Sequence, residues 1–171
     1  MKLFKKLAAA MLVAALALTM VGCGGRNSLT DQVKAVIADF YAMEDKDVTN
    51  KKELDALAAK LMAAADKAAA KAENKGETVL ELLTDEEVVT AAGIDAAKET
   101  YRVSAVENYK LLSSMVNKEK AMILAQELVD GDNKMIGSGN QEPNSYGFAM
   151  GKINGKEYFV VLMNGQPRDR I

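Results

Sequence analysis

The sequence is organised around a hairpin near its C-terminus, where two segments rich in strand-forming residues, 146–153 and 156–163, flank Asn154-Gly155. Asn-Gly supplies the two positive-φ residues of a type I′ turn, whose twist matches that of the adjoining strands. Because a two-residue turn fixes the register, Lys152 is predicted to lie opposite Glu157, as an ion pair across the strands.

Both faces of this hairpin are apolar, which is unusual for a strand pair with one side in water. A strand that is apolar on both sides must be covered on both sides, and a hairpin alone is marginally stable. The glycines and the alanine on one face favour close approach of a helix. We therefore predict an α+β fold: a three-layer α-β-α sandwich with a small, mainly antiparallel sheet and a C-terminal β-hairpin. One face carries Tyr146, Phe148, Met150, Phe159, Val161 and Met163, and the other carries Gly147, Ala149, Gly151, Tyr158, Val160 and Leu162.

The remaining elements are predicted from capping residues and from apolar side chains spaced three and four residues apart. Ser28 precedes the first helix, Asn50 the second, Thr84 a short third helix and Asn117 the last. In chain order the predictions are helices at 29–43, 50–74, 84–93 and 117–130, a strand at 102–106, a loop at 136–144 and a polar tail at 165–171.

The first 22 residues have the features of a targeting segment. Lys2, Lys5 and Lys6 precede the apolar stretch Leu7–Val21, and Cys23 follows. The apolar stretch is shorter than the roughly 20 residues that a membrane-spanning helix needs. The segment resembles a bacterial lipoprotein leader, in which the cysteine becomes the lipidated first residue of the mature chain. We therefore expect attachment to the cell membrane through Cys23, with the domain on the extracytoplasmic face.

This interpretation divides the chain into four parts. Residues 1–22 are the signal peptide, 23–49 the anchor, tether and N-terminal helix, 50–164 the main domain and 165–171 the tail. Cys23 is the only cysteine, so no disulfide is expected. Removing the three leader lysines from a net charge of −2 leaves −5, which gives no reason to expect a nucleic-acid partner.

The sequence contains no histidine, and this excludes several kinds of active site. Ser-His-Asp triads, Cys-His pairs and imidazole zinc sites all need that residue. Carboxylate chemistry, a Ser-Lys dyad and binding of a hard cation remain. Ser113-Ser114 lies near Lys118 and Lys120, but no diagnostic motif surrounds this pair.

The segment Asp130–Asn133 looks like the start of a calcium loop, but the rest of the loop is missing. Met135 stands at the position of the glycine and Gln141 at that of the bidentate glutamate. We therefore expect no metal site, no cofactor and no catalytic residue.

The order of the elements resembles the CAP superfamily of cysteine-rich secretory, antigen 5 and pathogenesis-related 1 proteins. The features that carry the resemblance are Val106–Tyr109, a helix that ends near Asp130, a loop and the final hairpin, all within about residues 50–163. The resemblance places Glu107-Asn108 at the family's E-N pair and Lys134 near the position of an expected histidine. The family's cavity usually uses two histidines and two acids, and this chain has no histidine. The resemblance therefore implies that the family's metal site is lost in this chain. Glu107, Asn108 and Lys134 are then the candidate ligand-binding residues.

Two classes of function remain open. The first is a non-catalytic, CAP-like domain that is anchored to the membrane and binds a peptide, a glycan or a lipid. The alternative is an unrelated small envelope lipoprotein with an assembly or maintenance role, or a carboxylate-dependent hydrolase that uses Glu107.

Overall fold

The computed structural model of the protein describes residues 28–44, 46–71, 76–108, 116–138 and 141–167. The predicted leader, the predicted lipid-attachment residue Cys23 and the Ser113-Ser114 pair lie outside the described residues. Within the described ranges, no helix is both long enough and apolar enough to cross a lipid bilayer. In chain order the elements are α1 (Leu29–Met43), β1 (Thr49–Asn50), α2 (Lys52–Ala69), α3 (Val79–Thr84), α4 (Glu86–Ala92), β2 (Tyr101–Glu107), α5 (Asn117–Asp130), β3 (Asn133–Ile136), β4 (Gln141–Ile153) and β5 (Lys156–Pro167).

The strands form one five-stranded sheet in the order β1-β4-β5-β2-β3. The short β1 runs parallel to β4, and the other three pairings are antiparallel. Buried helical side chains pack against both faces of this sheet. The predicted α+β class, with three layers and a mainly antiparallel sheet, is therefore confirmed.

The hairpin formed by β4 and β5 has the predicted turn and register. Asn154 and Gly155 have φ angles of 51° and 76°, as a type I′ turn requires. Lys152 lies opposite Glu157. Helices pack on both sides of the sheet, which explains why both faces of these two strands are apolar.

The sheet is larger than the sequence predicted. The loop predicted at 136–144 is wrong in part, because Ile136 ends β3 and β4 begins at Gln141. β5 also continues into the predicted polar tail, since Gly165–Pro167 pair with β4. Polar segments such as these show no apolar alternation, so pairing with a neighbouring strand decides their conformation.

Two helical layers enclose the sheet. Helices α2, α3 and α4 cover the face that carries Ala149, and α1 and α5 cover the face that carries Phe148. Val33 and Ile37 of α1 are fully buried in the second of these layers. Helix α1, which precedes the predicted boundary at residue 50, therefore packs in the same core as the strands that follow it.

Helix α2 touches the sheet closely at Gly147. A β-carbon at this position would lie 2.0 Å from the carbonyl carbon of Leu54 and 2.5 Å from the amide nitrogen of Asp55. The amide of Lys51 donates to the carbonyl of Tyr146 at 2.9 Å. The missing side chain thus lets the first turn of α2 lie directly on β4.

The carboxylate of Asp55 binds the main chain of β4 just beyond the residues that pair with β1. Its Oδ1 accepts hydrogen bonds from the amide of Phe148 at 2.7 Å and from Asn50 Nδ2 at 2.8 Å. Its Oδ2 accepts from Lys34 Nζ at 2.5 Å. Because Lys34 lies on α1 and Asp55 on α2, this partly buried ion pair links the two helical layers around the edge of the sheet.

Several helix starts differ from the prediction. Lys51, without a side-chain hydrogen bond, occupies the cap position of α2, and the predicted cap Asn50 ends β1. Helix α3 was not predicted, and its start is a complete capping box between Thr78 and Glu81. Hydrogen bonds from the amide and hydroxyl of Thr78 lower the pKa of the Glu81 carboxyl, and the nearby charge of Lys134 adds to this effect. Thr84, the predicted cap of the following helix, is instead the last residue of α3, and Asp85 caps α4.

The start of α5 also differs from the prediction. Asn117 is its first helical residue, and Val116 occupies the cap position without a side-chain hydrogen bond. The predicted bounds of this helix, 117–130, nevertheless match α5. The apolar side chains that predicted the helix are buried against the sheet. These side chains are Ala121, Leu124, Ala125 and Leu128.

Candidate functional site

A groove opens beside the C-terminal end of β2, where β3 no longer accompanies it. β3 pairs with Tyr101–Ser104, whereas β2 continues to Glu107. The groove has a volume of about 580 Å³, which lies within the roughly 300–1,000 Å³ that is usual for ligand pockets. Its walls come from the start of α3, the residues at and after the end of α5, and the turn of the β4–β5 hairpin.

Glu107 lies at the centre of the polar contacts in this groove. Its side chain is 25% exposed, and its Oε2 accepts hydrogen bonds from Lys156 Nζ at 3.0 Å and from the Tyr158 hydroxyl at 3.3 Å. Tyr158 lies directly opposite Glu107 on β5. Lys156 lies two residues before Tyr158 on β5, so the side chains of Lys156 and Tyr158 leave the same face of the sheet.

The other two candidate residues lie outside the groove lining. The amide of Asn108 donates to the carbonyl of Glu157, and its Nδ2 donates to Glu157 Oε2, both at 2.8 Å. Lys134 lies on β3, with its Nζ 3.7 Å from Glu81 Oε1 on α3. The structure therefore brings Glu107 into the groove and places Asn108 and Lys134 beside it, each paired with an acid.

The groove combines an apolar wall with an acidic rim. Glu77, Glu127 and Asp132 line it together with Glu107. Among the described lining residues, Lys156 is the basic one, and it is already bonded to Glu107. The apolar part of the lining is formed by Val79, Leu80, Leu82, Ala105, Val106 and Ile153.

The acids of the rim were not identified from the sequence, although a signal for two of them was present. Glu127 lies in the last turn of α5 and Asp132 just after it, and that turn contains no basic residue. The C-terminus of a helix carries a partial negative charge, so acids are unfavourable there. Two acids at such a helix end therefore weakly indicate that their charge acts on a ligand or a neighbouring element and does not stabilise the helix.

The groove has the chemistry of a binding surface. A carboxylate held by an ammonium group and a phenol is a fixed hydrogen-bond acceptor, and the apolar wall beside it can bury part of a ligand. In the part of the chain that the structure describes, no group of three or more histidine, cysteine, aspartate or glutamate side chains is placed to hold a metal ion.

The chain matches no protein-family model, and neither a curated protein nor a solved structure is similar to it.

Proposed function

We propose that the protein is a bacterial envelope lipoprotein whose domain, anchored on the extracytoplasmic face of the cell membrane, binds a ligand in the groove at Glu107 without chemically transforming it. The observation that carries this proposal is the groove itself, because it joins an apolar wall to a positioned carboxylate. A lipid on Cys23 is the proposed anchor.

Kinship with the CAP superfamily is part of the proposal. It is supported by helical layers on both sides of a small, mainly antiparallel sheet. It is also supported by the position of Glu107 in a concave surface beside the final hairpin, since the resemblance gives that residue a place in the family's cavity.

The absence of catalysis is supported by the surroundings of Glu107. Its carboxylate is bonded to Lys156 and Tyr158, and the sequence has no histidine to act as a partner base. Hydrolysis of an ester, peptide or glycan by the purified chain, abolished by Glu107→Gln, would contradict this part of the proposal.

Binding is tested by nuclear magnetic resonance on the ¹⁵N-labelled full-length chain in a neutral detergent. The probes are a cationic peptide, a chitooligosaccharide and the short-chain phospholipid dihexanoylphosphatidylcholine. We expect one of these classes to shift the amide signals of residues 105–107 and 153–158. If none of them shifts these signals, the groove is not a binding site for the proposed ligands.

The anchor is tested separately with Cys23→Ser. The native chain is expected in the membrane fraction, with a lipid mass on the peptide that begins at Cys23. The variant is expected to lose both the lipid and its firm membrane attachment, because it lacks the thiol that carries the lipid, and the acyl chains bury most of the apolar surface of the anchor. Equal retention of the two proteins in the membrane would contradict the anchor.

A further inference from the structure

Among the residues that the structure describes, one edge of β2 has no neighbouring strand over its last three residues, Ala105–Glu107. β5 pairs with all of β2 on one side, while β3 pairs only with Tyr101–Ser104 on the other. The amide of Asn108 donates to the carbonyl of Glu157 on β5. Because successive amides of a strand point to opposite sides, the main-chain N–H and C=O of Glu107 point to the side away from β5. In the described part of the chain, no strand covers that side.

The groove lies along this uncovered edge. Its lining includes Ala105–Glu107, Val79 and Leu80 of α3 on one side, and Glu127 and Gly131 from the end of α5 on the other. An extended segment laid along the edge would continue the line of β3 between the two helical layers. Its side chains would alternate between those layers, since successive side chains of a strand point to opposite faces.

The charge of the groove selects the kind of segment that fits. Glu77, Glu127 and Asp132 line it, whereas the one basic residue of the described lining, Lys156, is bonded to Glu107. Lysine or arginine side chains complement this rim, and acidic side chains are repelled by it. A glycan or a lipid offers no row of alternating donors and acceptors that matches a strand edge.

We propose that the groove binds an extended, basic peptide segment of a partner protein, which pairs with Ala105–Glu107 as an added antiparallel strand. The inference rests on the proposed function, because it names the ligand class of the same groove. Main-chain hydrogen bonds to the strand edge provide affinity, and alternate side chains provide specificity, as in other cases of strand addition. The basic side chains lie against the acidic rim, and the apolar ones against Val79 and Leu80.

The test uses a fluorescent hexapeptide of alternating valine and lysine, blocked at both ends and titrated onto the full-length chain in neutral detergent. Two further peptides carry N-methyl groups, one on the three valine amides and the other on the three lysine amides. Because alternate amides of an added strand face the sheet, one methylation pattern is expected to weaken binding about tenfold and the other about twofold or less. A valine-glutamate hexapeptide is expected not to bind.

The role of the rim is tested with the triple variant Glu77→Gln, Glu127→Gln and Asp132→Asn. We expect about fivefold weaker binding of the valine-lysine peptide, and a smaller dependence of its affinity on salt. The matched control changes three exposed acids outside the described lining and alters the net charge equally. It combines Asp39→Asn, Glu53→Gln and Glu119→Gln, and is expected to leave the affinity nearly unchanged.

The outcomes separate this inference from the proposed function. Equal weakening by the two methylation patterns would overturn strand addition, while binding itself would stand. Shifts of the groove amides with the chitooligosaccharide or the short-chain phospholipid, but not with the peptide, would overturn the peptide class and leave the proposed function intact. If no probe affects residues 105–107, both fail.

Discussion

Gly147 is the residue at which the backbones of α2 and β4 come closest. We expect Gly147→Ala to lower the free energy of unfolding by about 3 kcal/mol, because the added carbon would overlap backbone atoms of Leu54 that have no room to move. Urea unfolding followed by circular dichroism measures the difference. The control is Gly155→Ala, which meets no atom within 4 Å but carries a positive φ, at a cost of about 1 kcal/mol. Equal costs would contradict the close contact.

Asp55 is the second residue on which the packing depends. Its side chain is 3% exposed, and Asp55→Ala would leave the Phe148 amide without its acceptor and Lys34 without its partner. Breaking a buried pair in this way is expected to cost about 3–5 kcal/mol in chemical unfolding. Asp55→Asn keeps an acceptor for the amide, so its cost should be smaller.

The exposed pair between Lys71 and Glu87 provides the comparison for Asp55. The Lys71 and Glu87 side chains are 46% and 79% exposed, so we expect Glu87→Ala to cost less than about 1 kcal/mol. If Asp55→Ala costs as little as Glu87→Ala, the link between the helical layers contributes nothing to stability.

Two threonines, Thr78 and Thr84, distinguish the observed helix starts between residues 78 and 87 from the predicted one. Thr78→Ala removes the observed cap of α3 and is expected to cost about 1 kcal/mol. Thr84→Ala should cost a few tenths of a kcal/mol, because the Thr84 hydroxyl donates to the carbonyls of Leu80 and Glu81 within its own helix and caps no helix start. A thermal unfolding curve for each variant checks the order, and the reverse order would favour the predicted cap.

The elements that the sequence predicted well are those specified by local chemistry. The hairpin follows from Asn154-Gly155 and the first helix from its cap at Ser28, so both the turn and the start of α1 appear where predicted. β1 and β3 were missed because they are short and polar and exist through pairing with a neighbour. The capping pattern occurs twice, at Thr78 and at Thr84, and tertiary packing decides which copy starts a helix.

The groove was less predictable than the fold. Glu107 was identified as a candidate, and it does line a concave surface. The rim residues Glu77 and Asp132 come from distant parts of the chain, and only the sheet order brings them together. Whether Asn108 and Lys134 contact a ligand from beside the groove stays a prediction.

At the scale of the whole molecule, buried tyrosines make stability depend on alkaline pH. Burial raises the pKa of Tyr101 to about 12, and the neighbouring Glu99 carboxylate adds to the effect. Burial also raises the pKa of Tyr41 and Tyr146. An unfolded phenol ionises at roughly pH 10, so the stabilisation is complete below that pH and is lost as the pH rises toward the folded values.

The corresponding variant is Tyr101→Phe. Because phenylalanine does not ionise, we expect its melting temperature to fall less steeply than that of the native chain between about pH 10 and 12. Differential scanning calorimetry across this range gives the two slopes. Identical slopes would show that Tyr101 ionises in the folded state as easily as in the unfolded one.

On the side of β2 away from β5, no described strand pairs with the main chain of Glu107, and an incoming peptide is predicted to bind there. Amide hydrogen exchange measures this pairing residue by residue. In the free chain we expect the Glu107 amide to exchange much faster than those of Val106 and Asn108, which face β5. The valine-lysine hexapeptide should slow the Glu107 amide selectively. Two results would contradict pairing of the peptide with this edge. One is a Glu107 amide that exchanges as slowly as its neighbours in the free chain, and the other is a Glu107 amide that still exchanges fast while the peptide is bound.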